Sequence, residues 1–246
     1  MNPSRPHLFG VLAGVFLAAG LAFASMTLAN AWTRIAESQV INVTGSAHKN
    51  VHSDLVLWRA SVAVEAPTLL DAQENLRSDA ARLGEFLHAH GFNDYNFAPP
   101  QIQELLAKRH HKEDDTTENV RVGYQLTQAV TVHSSEVERL AQLVGNSGEL
   151  IQQGVNISSD GLTYIYTRAG DAKVEMMADA TRDARSRAEQ IAAQGGRRVK
   201  ELRSARMGVV QINPIYSGAT SAEGNNDTST SEKTITATVS ATFALQ

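Results

Sequence analysis

The chain has 246 residues with no cysteine, is 42% hydrophobic and 20% charged, and carries a formal net charge of −4. That length holds one large or two small folded domains, and the balance of apolar and charged residues excludes disorder as the state of the whole chain. The missing cysteines exclude disulfides, thiolate metal sites and a cysteine nucleophile, and with no Lys/Arg block interleaved with aromatics nothing points to nucleic acid as a partner.

Behind Arg5, Leu8 to Ala31 (LFGVLAGVFLAAGLAFASMTLANA) is an uncharged run of about 24 residues, which as a helix reaches roughly 36 Å and can cross a bilayer core. The positive charge before it places the N-terminus in the cytoplasm and everything after Trp32 outside. The expected layout is a cytoplasmic N-terminus at 1–7, a single-pass inner-membrane anchor at 8–31, a linker at 32–38 and a periplasmic domain at 39–246. Ala29-Asn30-Ala31 has the small-x-small pattern of a cleavage site, so a removed leader is the competing reading; the apolar core from Leu8 to Ala24 is longer than the roughly 7–15 residues usual in a leader. Gly10, Gly14 and Ala18 make a small-xxx-small face on which two such helices can approach, or are simply small residues of a helix without a partner.

From Gln39 the pattern turns to β. Val40 to Ala47 is a short β-prone run, and Leu55 to Glu65 alternates with Val56, Trp58, Ala60, Val62 and Val64 on one face, so Trp58 reads as core and Arg59 points the other way. Thr68 with Asp71 three residues on resembles a capping box; Leu69, Leu76, Ala80, Leu83 and Leu87 form the apolar stripe of a helix that Gly91 stops. Gln101 to Lys108 and Val120 to His133 read as strands, the second burying Val120, Val122, Tyr124, Leu126, Val130 and Val132. A short helix at Glu136 to Val144, with a Ser135/Glu138 capping box, leads to the second half.

There Leu162 to Thr167 is strand-like. Asp171 caps a helix with the stripe Val174, Met177, Ala178, Thr181, Ala184, Ala188, Ile191 and Ala192, ended by Gly195-Gly196, with Asp183 and Arg187 as a solvated i,i+4 pair. Val199 to Ile212 reads as one strand, and Ile235 to Leu245 alternates strictly. The element order recurs at an offset of roughly 105 residues, Gly91 answering Gly196. The expected fold is α+β: duplicated β-α-β-β units with half-repeats at about 39–133 and 148–246, whose antiparallel sheets are covered by amphipathic helices, behind a transmembrane helix.

One stretch asks for a chemical reading: in KRHHKEDDTTEN, His110, His111, Glu113, Asp114 and Asp115 crowd possible ligands for zinc or another divalent ion into six positions. The segment falls between two strands, and its counterpart in the second half, Ser217 to Lys233, is an acidic Ser/Gly/Asn-rich run without histidine. Both read as polar loops whose backbones water satisfies. No nucleophile elbow, phosphate-binding glycine loop, dinucleotide fingerprint or H-E-x-x-H motif occurs. His52-Ser53-Asp54 sets three triad residue types side by side, but neighbours on a strand make no relay and the opening of a strand is the simpler role. Met176 and Met177 read as helix packing, with copper binding as a remote option. No catalytic, cofactor-binding or metal-ligating residue is assigned.

Ile41 to Val62 (INVTGSAHKNVHSDLVLWRASV), Gly148 to Thr167 (GELIQQGVNISSDGLTYIYT) and Met176 to Pro214 resemble the SIMPL-domain family of bacterial envelope proteins, especially its branch with an N-terminal membrane segment. The resemblance covers nearly all of the chain after Gln39. It implies a periplasmic or membrane-tethered α+β module of a kind linked to oligomeric ring-like assemblies and to envelope or oxidative stress, and it offers no catalytic motif to carry over. The expected partners are the membrane, through the N-terminal helix, further copies of the chain, and other envelope proteins. Leu55, Leu57, Ile165 and the long strand Val120 to His133 leave apolar faces and edges that self-association would cover. The alternative is an envelope enzyme or metal-handling protein using His110 to Asp115.

Overall fold

A computed structural model describes residues 6–36, 39–111 and 116–246. Helix α1 (Pro6–Ala36) contains the apolar run and extends it at both ends. Its stretch Gly10–Thr33 has a mean hydropathy of 2.1 with none of it buried, which makes it long and apolar enough to cross a membrane or to serve as a signal sequence. The hydroxyls of Ser25, Thr27 and Thr33 donate to the carbonyls of Leu21, Ala24 and Asn30 within the same helix, so these three need no outside partner.

Beyond α1 the order is β1 (Val40–His52), β2 (Leu55–Ala66), α2 (Leu69–Ala89), β3 (Tyr95–Phe97), β4 (Gln101–His111), β5 (Thr116–Ser134), α3 (Val137–Gly145), α4 (Gly148–Gln152), β6 (Ile157–Ile165), α5 (Ala169–Gln194), β7 (Val199–Met207), β8 (Gln211–Pro214) and β9 (Glu232–Leu245). One sheet has the order β3-β5-β2-β6 with β4 also on β5; the other runs β1-β9-β7 with β8 also on β9. This is an α+β fold with antiparallel pairing wherever a register is resolved. The sheets are not assembled half by half: β6, the expected opening strand of the second half, pairs with β2, while β1 joins β9. By contacts the chain forms two units, Lys49–Lys173 with Gln211–Ile235, and Met1–His48 with Val174–Val210 and Thr236–Gln246.

In the first of these units β2 lies between β5 and β6. Its alternation is realised as expected: Val56, Trp58, Ala60, Val62, Val64 and Ala66 are buried, and Arg59 is exposed. Trp58 is fully buried and its Nε1 donates to Ser159 Oγ at 2.8 Å, which satisfies the one polar atom of a large core side chain. Helix α2 covers this face with Ala72, Leu76, Leu83, Phe86 and Leu87. Thr68 is its N-cap, accepting from the Asp71 N–H and donating to the Asp71 carboxylate at 2.7 Å, and Gly91 follows the last turn at φ +84°. Leu69, expected in the stripe, is 40% exposed because Ala72 and Leu76 set the phase of the face. The Ser135/Glu138 box does not form; Glu136 is the N-cap of α3 and its N–H is bonded by Ser134 Oγ at 2.9 Å.

In the other unit α5 lies against β1. Its buried line is Met176, Ala180, Ala184, Ala188 and Ala192, while Val174 and Ile191 of the expected stripe are 67% and 56% exposed. Gly45 on β1 explains the change. A Cβ built there would collide with the backbone at Ala180 and Ala184, so strand and helix meet main chain to main chain and small side chains are needed at those two positions. Asp183 secures the contact, accepting from the Ser46 N–H at 2.8 Å and from Arg187 Nε at 2.8 Å. The expected single strand from Val199 to Ile212 is two, β7 and β8, broken at Gly208, whose N–H donates to Thr238 O at 2.9 Å.

Candidate functional site

Strand β5 is longer than its partners. Its register with β2 ends at Ala66 opposite Tyr124, whereas its register with β4 continues to His111 opposite Thr116. From Leu105 to His111 and from Thr116 to Gly123 the two strands therefore form a ribbon of their own, roughly 20 Å long at the usual rise per residue. Gly123 marks the point of departure: a Cβ there would stand 2.7 Å from Ala66 O, where β2 ends and the chain turns through Pro67 into α2. A register shift between Leu105 and Leu106 follows directly, with Val122 the extra residue on β5.

This arm carries apolar surface. Leu106 and Val122 are each 57% exposed, and Ile102, on β4 just before the arm and opposite buried Leu126, is 58% exposed; Val122, expected in the core face, is therefore not in it. The reason is that the alternation of β5 continues past the last residue that β2 and α2 can cover. Arg121 donates to Glu104 Oε1 at 3.1 Å across the two strands and lies 5.2 Å from the Tyr124 ring centroid. Leu55, Leu57 and Ile165, the apolar residues expected to be left over, are half-buried, with Leu55 opposite Ile165 across the β2-β6 pair.

The histidine-acid stretch sits at the far end of the arm. His110 is on β4 opposite Thr117, while residues 112–115, with Glu113, Asp114 and Asp115, and the side chain of His111 lie outside what the structure describes. Among the described residues no group of three or more His, Asp or Glu side chains could hold a metal. Replacing His110 and His111 by Ala is expected to shift the melting temperature little, with added zinc stabilising wild type and double variant alike. A zinc-dependent rise confined to the wild type would make the segment a metal site, since a ligand that binds the folded state stabilises it.

The counterpart loop is not what its composition suggested. Gln211 and Asn213 on β8 are buried and reach into residues 217–225. Gln211 Nε2 donates to Ser221 O at 2.8 Å and its Oε1 accepts from Asn225 N at 2.8 Å; Asn213 Nδ2 donates to Ala219 O at 2.7 Å. Further on, Asp227 accepts from the hydroxyls of Ser229 and Thr230, each at 2.6 Å, and from Lys233 Nζ at 2.8 Å. Lys233 is 1% exposed and its Nζ also donates to Thr230 O at 2.6 Å. Burial by itself would push the Asp227 carboxyl up; the hydrogen bonds from Lys233, Ser229 and Thr230 outweigh it and hold the group well below the usual carboxylate range. Protein groups, rather than water alone, satisfy this loop. The spacing Asp-x-x-x-x-x-Lys was its only sequence signal.

The remaining candidates disperse. His52 bonds Glu138 at 2.8 Å, Asp54 accepts from the N–H and hydroxyl of Thr167 at 2.7 and 2.8 Å, and Ser53 Oγ is buried without a hydrogen-bond partner among the described residues. Burial tends to raise the Asp54 carboxyl, but the two Thr167 bonds and Arg168 bring it below its ordinary value. These three neighbours serve three separate contacts and form no relay. A cleft of about 470 Å³ is lined by Phe92, Asp94, His133 and Glu136, two of which are engaged by Arg139: it bonds Glu136 at 2.6 Å and His90 O at 2.5 Å and lies over the Phe92 ring.

What these observations define is an α+β module with a long apolar N-terminal helix, a bonded polar loop and an exposed two-stranded arm. The family described as SIMPL, protein of unknown function (DUF541), matches residues 41–243, and the chain belongs to it. It is not a known enzyme family. No curated protein matches the chain.

Proposed function

We propose that the chain is a membrane-anchored periplasmic SIMPL module that works by self-association or by binding other envelope proteins, in the setting of envelope or oxidative stress, and that it is not an enzyme. The observation that carries this is the pairing of an apolar helix long enough to span with a β arm that exposes Leu106 and Val122 beyond the core, next to exposed Ile102 on the same strand β4. Exposed apolar residues on a sheet edge suit protein contact, and a shared membrane surface raises the effective concentration of the copies. The duplication of two halves about 39–133 and 148–246 belongs to the same reading, with one strand exchanged: the pairing order β2-β5-β4 recurs as β1-β9-β7, in which β1 comes from the first half.

The full-length protein is expected to stay in the membrane pellet through a carbonate wash and to become protease-accessible only when the outer membrane is opened. An intact mass beginning at Trp32 would replace the anchor by a soluble periplasmic protein. Light scattering on the chain lacking residues 1–38 is expected to give a multiple of the monomer mass at tens of micromolar. A monomer would leave α1 as the only element for assembly.

A further inference from the structure

The sheet edges differ in what they offer a partner. β6 is bent by a register shift at Arg59/Ala60 and by Gly161 at φ +88°, and the 227–230 loop already bonds it, Thr228 O accepting from Tyr164 N at 2.8 Å. β7 is irregular at two points of its register with β9. Bulges of this kind are how natural sheets blunt their edges. β4 is different: it is eleven residues long, pairs among the described residues only with β5, and its one irregularity places the extra residue on β5, so its outer edge runs straight past exposed Ile102 and Leu106.

We propose that this open edge of β4 pairs antiparallel with the β4 edge of a second copy of the chain, with Leu106 at the twofold axis and Glu104 of each copy opposite Lys108 of the other. The proposal rests on the self-association reading and names its surface.

Symmetry limits the registers. A twofold axis perpendicular to a sheet keeps each face on its own side, so a residue can face only one an even number of positions away, and one β4 residue must lie opposite its own copy. Centring on Glu104 sets carboxylate against carboxylate, and centring on Lys108 sets ammonium against ammonium; like charges directly opposite are destabilising. Centring on Leu105 puts Glu104 opposite Leu106 and Lys108 opposite Ile102, which leaves both charges against apolar side chains. Centring on Leu106 stacks the exposed leucine on itself, sets Glu104 against Lys108 on both sides, and puts Gln103 opposite Arg109. Glu104 already holds Arg121 at 3.1 Å, so each end of the contact becomes a three-membered Arg-Glu-Lys row. The pairing also changes the state of the arm. A two-stranded ribbon is marginal in water, and edge-to-edge association turns two such ribbons into one four-stranded sheet.

The absence of cysteine gives a clean test with the full-length protein in detergent. In an antiparallel pair, directly opposite Cα atoms are about 4.5–5.5 Å apart, inside the disulfide range, whereas Glu104 and its own copy would be separated by roughly 13 Å along the strands. Leu106→Cys is expected to form a disulfide-linked dimer at least about tenfold faster than Glu104→Cys or Lys108→Cys alone, and a mixture of the last two is expected to give the crosslinked heterodimer. Light scattering of the unmodified protein runs beside it. An oligomer whose Leu106→Cys variant does not crosslink, or crosslinks no faster than Glu104→Cys alone, overturns the β4 register and leaves self-association standing. A monomer overturns both.

Discussion

Replacing Asp227 by Ala is expected to destabilise the folded chain by about 3–5 kcal/mol, because it leaves the Lys233 ammonium buried without its counter-ion. Lys233 is 1% exposed, and the Thr230 carbonyl, which also accepts from its Nζ, carries no formal charge. The loss should be read by urea unfolding followed through Trp58, which lies in the same unit. The double change Asp227→Ala with Lys233→Met removes both charges, and a buried pair replaced by apolar groups is often close to neutral, so most of the stability should return. A single variant within about 1 kcal/mol of wild type would show that the ammonium reaches water, which would sink the idea of a buried pair.

The same pair sets an acid limit. The folded Asp227 carboxyl lies below its unfolded value, so its contribution is fully present above that value, near 3.9, and is lost as pH falls below it towards the folded pKa. Asp54 shifts in the same direction. Stability should therefore fall with acid below about pH 4, and the slope should be shallower in the Asp227→Ala/Lys233→Met variant.

Gly45→Val is the second large effect. The new Cβ would meet the Ala180 carbonyl oxygen and the Ala184 nitrogen and would stand 2.7 Å from the Ala184 Cα, all of them backbone atoms that cannot rotate away. Either β1 and α5 separate, exposing Ala180 and Ala184 and stretching the Ser46 to Asp183 bond, or the strand shifts; a cost of about 3 kcal/mol or more is expected. Thermal unfolding measures the loss, and faster proteolysis within β1 should locate it. Ala184→Gly should not rescue the variant, because the obstacle is main chain. Rescue would show that a side chain, not the helix backbone, limits the approach.

Pattern along the chain was enough for whatever depends on neighbours a few residues apart. The uncharged run became α1, the alternation around Trp58 became a buried strand face, and Thr68, Asp71 and Gly91 bounded α2 where they stand, because the rise of a helix, the pleat of a strand and the geometry of a cap are local properties. Local pattern also suggested that the chain has apolar surface to spare, but not where. Leu55, Leu57 and Ile165 are half-buried, while Leu106 and Val122 on the arm are exposed, since only the end of β2 at Ala66 decides how far along β5 the core reaches. The phase of α5 was decided across the sequence: a glycine at 45 selects alanines at 180 and 184, and no window along the helix contains that constraint. Long-range contact likewise separated the two polar loops. Ser217 to Lys233 has the composition of a solvated linker, yet Gln211 and Asn213 on β8 bond one part of it and Lys233 at the start of β9 closes on Asp227, because a polar side chain that is buried must find its partners in the protein.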